Sequence, residues 1–150
     1  MNTIITRSVV DGDWVQINQL ASNDVQEADH SRIDDQWTQN RRTFTGERRH
    51  IVLETASQIV AYCSLERELQ TRRWRAFVVL DWSGDRIYWE AAYRALDGLM
   101  MDVAPAEVWM RELTGDLALL EFMASKGFLL ESPFVHDGLE MVYLRRRIDE

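Results

Sequence analysis

Apolar positions along this chain recur with one of two periods, and the switches between them divide it into elements. Thr3 to Val10 reads as a first strand. Asp11-Gly12-Asp13 reads as a turn, and Asp13 can cap a helix starting at Trp14, where Trp14, Ile17, Leu20 and Ala21 recur at helical spacing. From Ser22 to Arg49 the chain turns polar, with Val25, Ala28, Ile33 and Trp37 thinly spaced. That segment reads either as the wall of a binding cleft or as a solvated surface helix. His50 to Glu54 and Gln58 to Glu66 predict a hairpin around Thr55-Ala56-Ser57. In its second strand Ile59, Ala61, Cys63 and Leu65 point one way, and Val60, Tyr62, Ser64 and Glu66 the other.

Trp74 to Leu80 ends in the continuous apolar run Phe77-Val78-Val79-Leu80, as strands buried on both faces do. Asp81-Trp82-Ser83-Gly84 breaks the pattern. A helix follows from about Asp85 to Met101, with Tyr88, Ala92, Ala95, Leu96 and Leu99 as its apolar face and Glu90, Arg94 and Asp97 as its wet face. Glu107 to Arg111 reads as a strand parallel to the Trp74 strand, because the intervening helix suits a right-handed crossover. Asp116 to Lys126 reads as a short helix stopped by a left-handed Gly127, with Phe128 folding back on Met123. Phe128 to Phe134 and Leu139 to Arg146 close the chain as a strand pair around Asp137-Gly138. Antiparallel strands followed by a β-α-β crossover imply an α/β (α+β) fold: a mixed, mostly antiparallel central sheet with helices on both faces, residues 1–150 forming one domain.

Composition narrows the partners. A formal net charge of −8 opposes general binding to nucleic acid or to an anionic membrane, and it suits a cationic amine ligand. The single cysteine, Cys63, excludes an internal disulfide and a cysteine-based zinc site. His30, His50 and His136 are isolated, without ligand spacing. No signal-like start and no apolar run near about 18 residues are present, so the expectation is a cytoplasmic protein. Trp14, Trp74 and Trp109 fit core or edge positions. Trp37, Trp82 and Trp89 fit an apolar acceptor pocket or, alternatively, a homodimer contact.

The stretch Leu117-Ala-Leu-Leu-Glu-Phe-Met-Ala-Ser-Lys-Gly-Phe128 resembles the A-x-x-F-Y-x-x-x-G-F signature that closes the GNAT superfamily of N-acyltransferases, and the element order agrees. The resemblance implies transfer of an acetyl or related acyl group from acyl-CoA, typically acetyl-CoA, to a small or peptide amine. It places the CoA pyrophosphate on the turn after the central strand, where unpaired N–H groups and the helix dipole attract an anion. The family's turn, V-x-P-x-x-R-G-x-G-I-G, falls on Val79 to Trp89. Val79 matches; Asp81 stands at the proline, Gly84 at the arginine, and Asp85, Ile87 and Trp89 at the three glycines. The implied cofactor contacts are Val78, Val79 and Leu80 for the pantetheine, Gly84, Asp85, Arg86, Ile87 and Tyr88 for the phosphates, and Asp116, where the family often has asparagine. The implied base is a carboxylate on the central strands, Glu66 or Glu54, with Glu107 a third candidate. The family's tyrosine acid is Met123 here, leaving Tyr88, Tyr93 or Tyr143 as substitutes. Two functions follow: an acyltransferase with Arg86 reaching an open turn, or a catalytically degenerate binding or assembly module with Asp85 or Ser83 capping the turn and a tryptophan filling it.

Overall fold

The computed structural model describes residues 3–24, 35–81, 84–136 and 138–148. Strands β1 (Ile5–Ser8), β2 (Arg48–Thr55), β3 (Gln58–Arg67), β4 (Trp74–Leu80), β5 (Glu107–Leu113), β6 (Leu129–His136) and β7 (Leu139–Arg147) form one sheet in the order β1-β2-β3-β4-β5-β7-β6. All neighbours are antiparallel except β4 and β5. Helices α1 (Trp14–Asp24) and α2 (Asp35–Arg42) belong to one face; α3 (Arg86–Val103) and α4 (Leu117–Ser125) belong to the other.

The continuous apolar run of β4 has the predicted consequence. Val78 and Leu80 enter the larger core under α3 and α4, while Val79 enters the smaller core with Trp14, Ile17 and Tyr62. β4 is the middle strand, and its parallel ladder with β5 consists of two positions, Trp74 opposite Val108 and Arg75 opposite Trp109. Beyond them β4 and β5 diverge, β5 staying paired to β7 as far as Leu113 and β4 to β3 as far as Leu80. The sheet therefore opens as a V from Arg75 and Trp109 onward.

Three local expectations change. β1 is shorter than read from sequence, and Asp13 does not cap α1. It lies in a 3-10 turn (Asp11–Asp13), accepts from the Val10 N–H at 2.8 Å and pairs with Arg7 at 2.9 Å. The alternation of β3 slips where the register with β2 shifts, so that Ile59 joins the smaller core and Val60 packs against the larger one. The extra residue of a bulge inverts the facing of everything before it. The buried face of α3 is rotated from the predicted one: Trp89, Tyr93 and Met100 join Ala92 and Leu96 inside, while Tyr88, Ala95 and Leu99 lie at the margin.

The end of α4 follows the sequence closely. Gly127 has φ +97°. The Phe128 N–H donates to the Met123 carbonyl and the Gly127 N–H to the Ala124 carbonyl, the paired bonds of a Schellman stop. Phe128 and Met123 are both buried in the larger core.

Candidate functional site

The turn after β4 is where an anion would meet the sheet. Gly84 donates its N–H to the Asp81 carbonyl at 3.0 Å, and a side chain at Gly84 would press on that oxygen at 3.2 Å. Asp85 then adopts an extended conformation, φ −63° and ψ 138°, as N-cap of α3. Its carboxylate accepts from the Ile87 N–H at 2.9 Å, and its carbonyl from the Tyr88 N–H at 3.0 Å. The N–H groups of Gly84, Ile87 and Tyr88 are thus engaged by the chain itself. Ser83 and Trp82 lie outside the described residues.

Trp89 stands where the family's turn has a glycine. A glycine there would let backbone and ligand touch. Instead the indole is 4% exposed and meets the Phe122 ring of α4 edge-on at 5.5 Å. The Arg86 guanidinium lies 3.9 Å over the Trp89 ring. The expectation that Trp89 lines a pocket is corrected: at this position on α3 the side chain points between the two helices, into the core. Asp116 is the N-cap residue of α4 but makes no side-chain cap bond; Leu120 donates to its carbonyl at 3.0 Å.

The two carboxylates proposed as bases are not brought together. Glu54 lies at the hairpin end of β2, paired with Arg7 at 3.1 Å. Glu66 lies at the other end of the hairpin, opposite Arg48 on β2 and Arg75 on β4. Glu107, at the start of β5, accepts from the Trp109 indole at 3.1 Å. Glu66 alone of the three is deeply buried, at 2% exposure. Its carboxylate accepts from Ser64 at 3.0 Å and faces Arg41 at 3.2 Å and Arg48 at 3.9 Å. Arg41 Nε forms no hydrogen bond, so that approach is ionic rather than an aligned bond. Burial raises the Glu66 pKa, and the arginines oppose the rise.

Glu66 helps line a cavity of about 340 Å3 with Arg41, Phe44, Arg75 and Phe77, on the α1–α2 face near the point of the V. The Phe77 ring lies under two guanidiniums, Arg41 at 4.3 Å and Arg75 at 4.7 Å. Trp37 covers Phe77 and Tyr62 edge-on, so the polar segment does wall this cleft at that point. Of the tyrosines weighed as acids, Tyr93 lies on the other face, bonded by Arg146, and Tyr88 is on α3. Tyr143 lies near enough to Arg75 to influence its charge and stacks on Phe134 at 4.8 Å. Met123 is buried completely. Cys63 is also buried, which pushes its thiol pKa up to about 12 and suits a structural role.

The arginine cluster was missed from sequence because Arg41, Arg75 and Arg111 stand on three separate elements, and the net charge of −8 points the other way. Residue parity along β4 and β5 was the available signal: Arg75 and Arg111 share a face once Arg75 is set opposite Trp109.

Comparison with solved structures is consistent with this architecture. Ribosomal-protein-S18-alanine N-acetyltransferase from Escherichia coli matches with a TM-score of 0.76 at 16% identity, covering 100% of this chain and 96% of that one. The chain has the GNAT fold. An N-acetyltransferase from Staphylococcus aureus Mu50 matches with a TM-score of 0.78 at 9% identity over 99% of both chains. A Salmonella typhimurium structure holding its cofactor acetyl-CoA matches with a TM-score of 0.74 at 12% identity, covering 99% of this chain and 96% of that one. No protein-family model and no curated protein matches the sequence. Among the described residues no helix is long and apolar enough to cross a membrane, and no group of His, Cys, Asp or Glu could hold a metal ion.

Proposed function

We propose that this chain is a GNAT-fold binding module whose CoA phosphate turn is closed from within, and that its ligand seat is the cleft on the α1–α2 face. The observation that carries this reading is the Asp85 carboxylate on the Ile87 N–H, beside a buried Trp89. A pyrophosphate arriving there must displace the cap, at about 1 kcal/mol. It must also approach a carboxylate, at roughly 1–4 kcal/mol at partly solvated distances. Together these weaken binding by about 2–5 kcal/mol, roughly thirty-fold to several thousand-fold in dissociation constant. The fold would keep its sheet and its final helix for the same packing reasons in either function, so those features do not argue against the module.

A thermal-shift series with acetyl-CoA tests the proposal. The module is expected to show no rise in melting temperature at millimolar acetyl-CoA. A ligand at 100 times its dissociation constant would add about 2.7 kcal/mol of stability, so a saturating rise would overturn the reading.

The second reading is N-acyl transfer from acetyl-CoA to an amine. The observation favouring it is the V between β4 and β5, which frees backbone groups for a pantetheine arm, with Glu66 and Tyr143 on the α1–α2 face beside Arg75 and Arg111. Here Glu66 would take the proton of the attacking amine. Amine-dependent release of free thiol from acetyl-CoA, abolished by Glu66→Gln, is the result that would select it.

A further inference from the structure

The cluster around the V holds more positive charge than the described residues neutralise. Arg41 and Arg48 share Glu66. Among the described residues Arg75 has only Glu68 as an ion-pair partner, at the 4.0 Å limit, and Glu68 also accepts from Thr71. Arg111 makes no ion pair among the described residues, and its Nε, like that of Arg75, is buried without a hydrogen bond. Arg75 stands at the closed end of the V, opposite Trp109, and Arg111 follows two residues later on the same face of β5.

Guanidiniums on neighbouring strands, each with a buried Nε that makes no hydrogen bond among the described residues, are unfavourable unless an anion joins them. We propose that Arg75 and Arg111 form the seat of a small oxyanion ligand, a molecule presenting a carboxylate or phosphate into the V. Guanidinium is the group suited to this task, since its planar fork bonds two oxygens at once. The surroundings fit a small organic anion. Phe77 lies under Arg75, the Trp109 and Tyr143 rings meet edge-on at 5.9 Å, and the adjoining cavity of about 340 Å3 gives room for the rest of the molecule. Arg75 is already depressed to a pKa of about 10, by burial first and then by Arg111, Glu68 and Arg41 acting in opposite senses. The ligand proposed for this site differs in charge from the cationic amine that the net charge suits.

The inference shares with the proposed function only the placement of the ligand on this face. The closed turn and this seat are probed by separate variants, because Asp85 and Trp89 belong to α3 and its N-cap, on the other side of the sheet. The test is thermal unfolding in inorganic phosphate and in succinate, each against sodium chloride of equal ionic strength. Wild type, Arg111→Gln, Arg75→Gln and Arg111→Lys are compared. Wild type should gain about 3–6 °C at ten times the dissociation constant of the better anion. Each Gln variant should lose that gain while melting no lower than wild type in chloride, since one of two repelling charges has gone. Arg111→Lys, which keeps charge but loses the fork, should retain part of it. No anion-specific gain in wild type would overturn the proposal, as would a full gain in both Gln variants. Acetyl-CoA binding with the anion response intact would instead count against the closed turn alone.

Discussion

Truncating Trp89 to alanine separates a core residue from a pocket liner. The indole is 4% exposed, lies edge-on to Phe122 and carries Arg86 on its outer face. A tryptophan side chain in this state removes roughly 150–250 Å2 from water, about 4–6 kcal/mol at 25 cal/mol per Å2. Part of that is recovered where α3 and α4 relax into the space, which leaves the range of about 3–5 kcal/mol typical of large-to-small core changes. Against a total stability of about 5–15 kcal/mol, such a loss brings the variant close to unfolding at ambient temperature. Urea unfolding followed by circular dichroism measures it. With slopes of about 1–3 kcal/mol per molar urea, the midpoint should fall by more than about 1 M. A loss below about 1 kcal/mol would mean that Trp89 is not structural, and its placement in the core between α3 and α4 would fail.

Further outcomes follow from the same coordinates. Gly127→Ala should cost about 1 kcal/mol in urea unfolding. The cost comes from the left-handed backbone, because the nearest atom to a Cβ there is Arg146 Nε at 3.6 Å, an ordinary contact. His50 is half-buried, and burial, then Arg48, lowers its pKa from 6.5 to about 4. The unfolded chain therefore binds the extra proton first, so this contribution is whole above about pH 6.5 and falls away as pH drops toward 4. Glu66, with its raised pKa, acts in the opposite sense, since acid relieves a buried carboxylate. His50→Gln should accordingly flatten the fall of stability between pH 6.5 and 4 in an unfolding series, and an unchanged slope would remove His50 from the account.

Much of the fold was legible because two periods suffice to describe it. The continuous apolar run of β4 required burial on both faces, and the Gly127 stop required only glycine's freedom at positive φ. The errors lie where a local rule met a tertiary one. Val60 and Ile59 exchanged faces because a bulge adds one residue to a strand, which no alternation pattern registers. Trp89 was placed at the cleft because its alignment with a glycine outweighed its helical spacing from Ala92, Tyr93 and Leu96. Had spacing been given precedence, Trp89 would have fallen on the buried face of α3. At the site, Asp85 was readable both as a cap and as an intruder, and the structure shows the cap. The pairing of Arg75 with Arg111 was not readable, since it depends on where β4 and β5 separate, and no short-range signal fixes that point.

The closed turn is tested most directly by the backbone amides of Ile87 and Tyr88 in a nitrogen-15 spectrum during addition of acetyl-CoA. Both N–H groups already serve Asp85, and they report any phosphate that displaces it. The account predicts that the two resonances stay in place up to millimolar acetyl-CoA and that Asp85→Gly allows them to move. A saturable shift of both in the wild-type protein would contradict it.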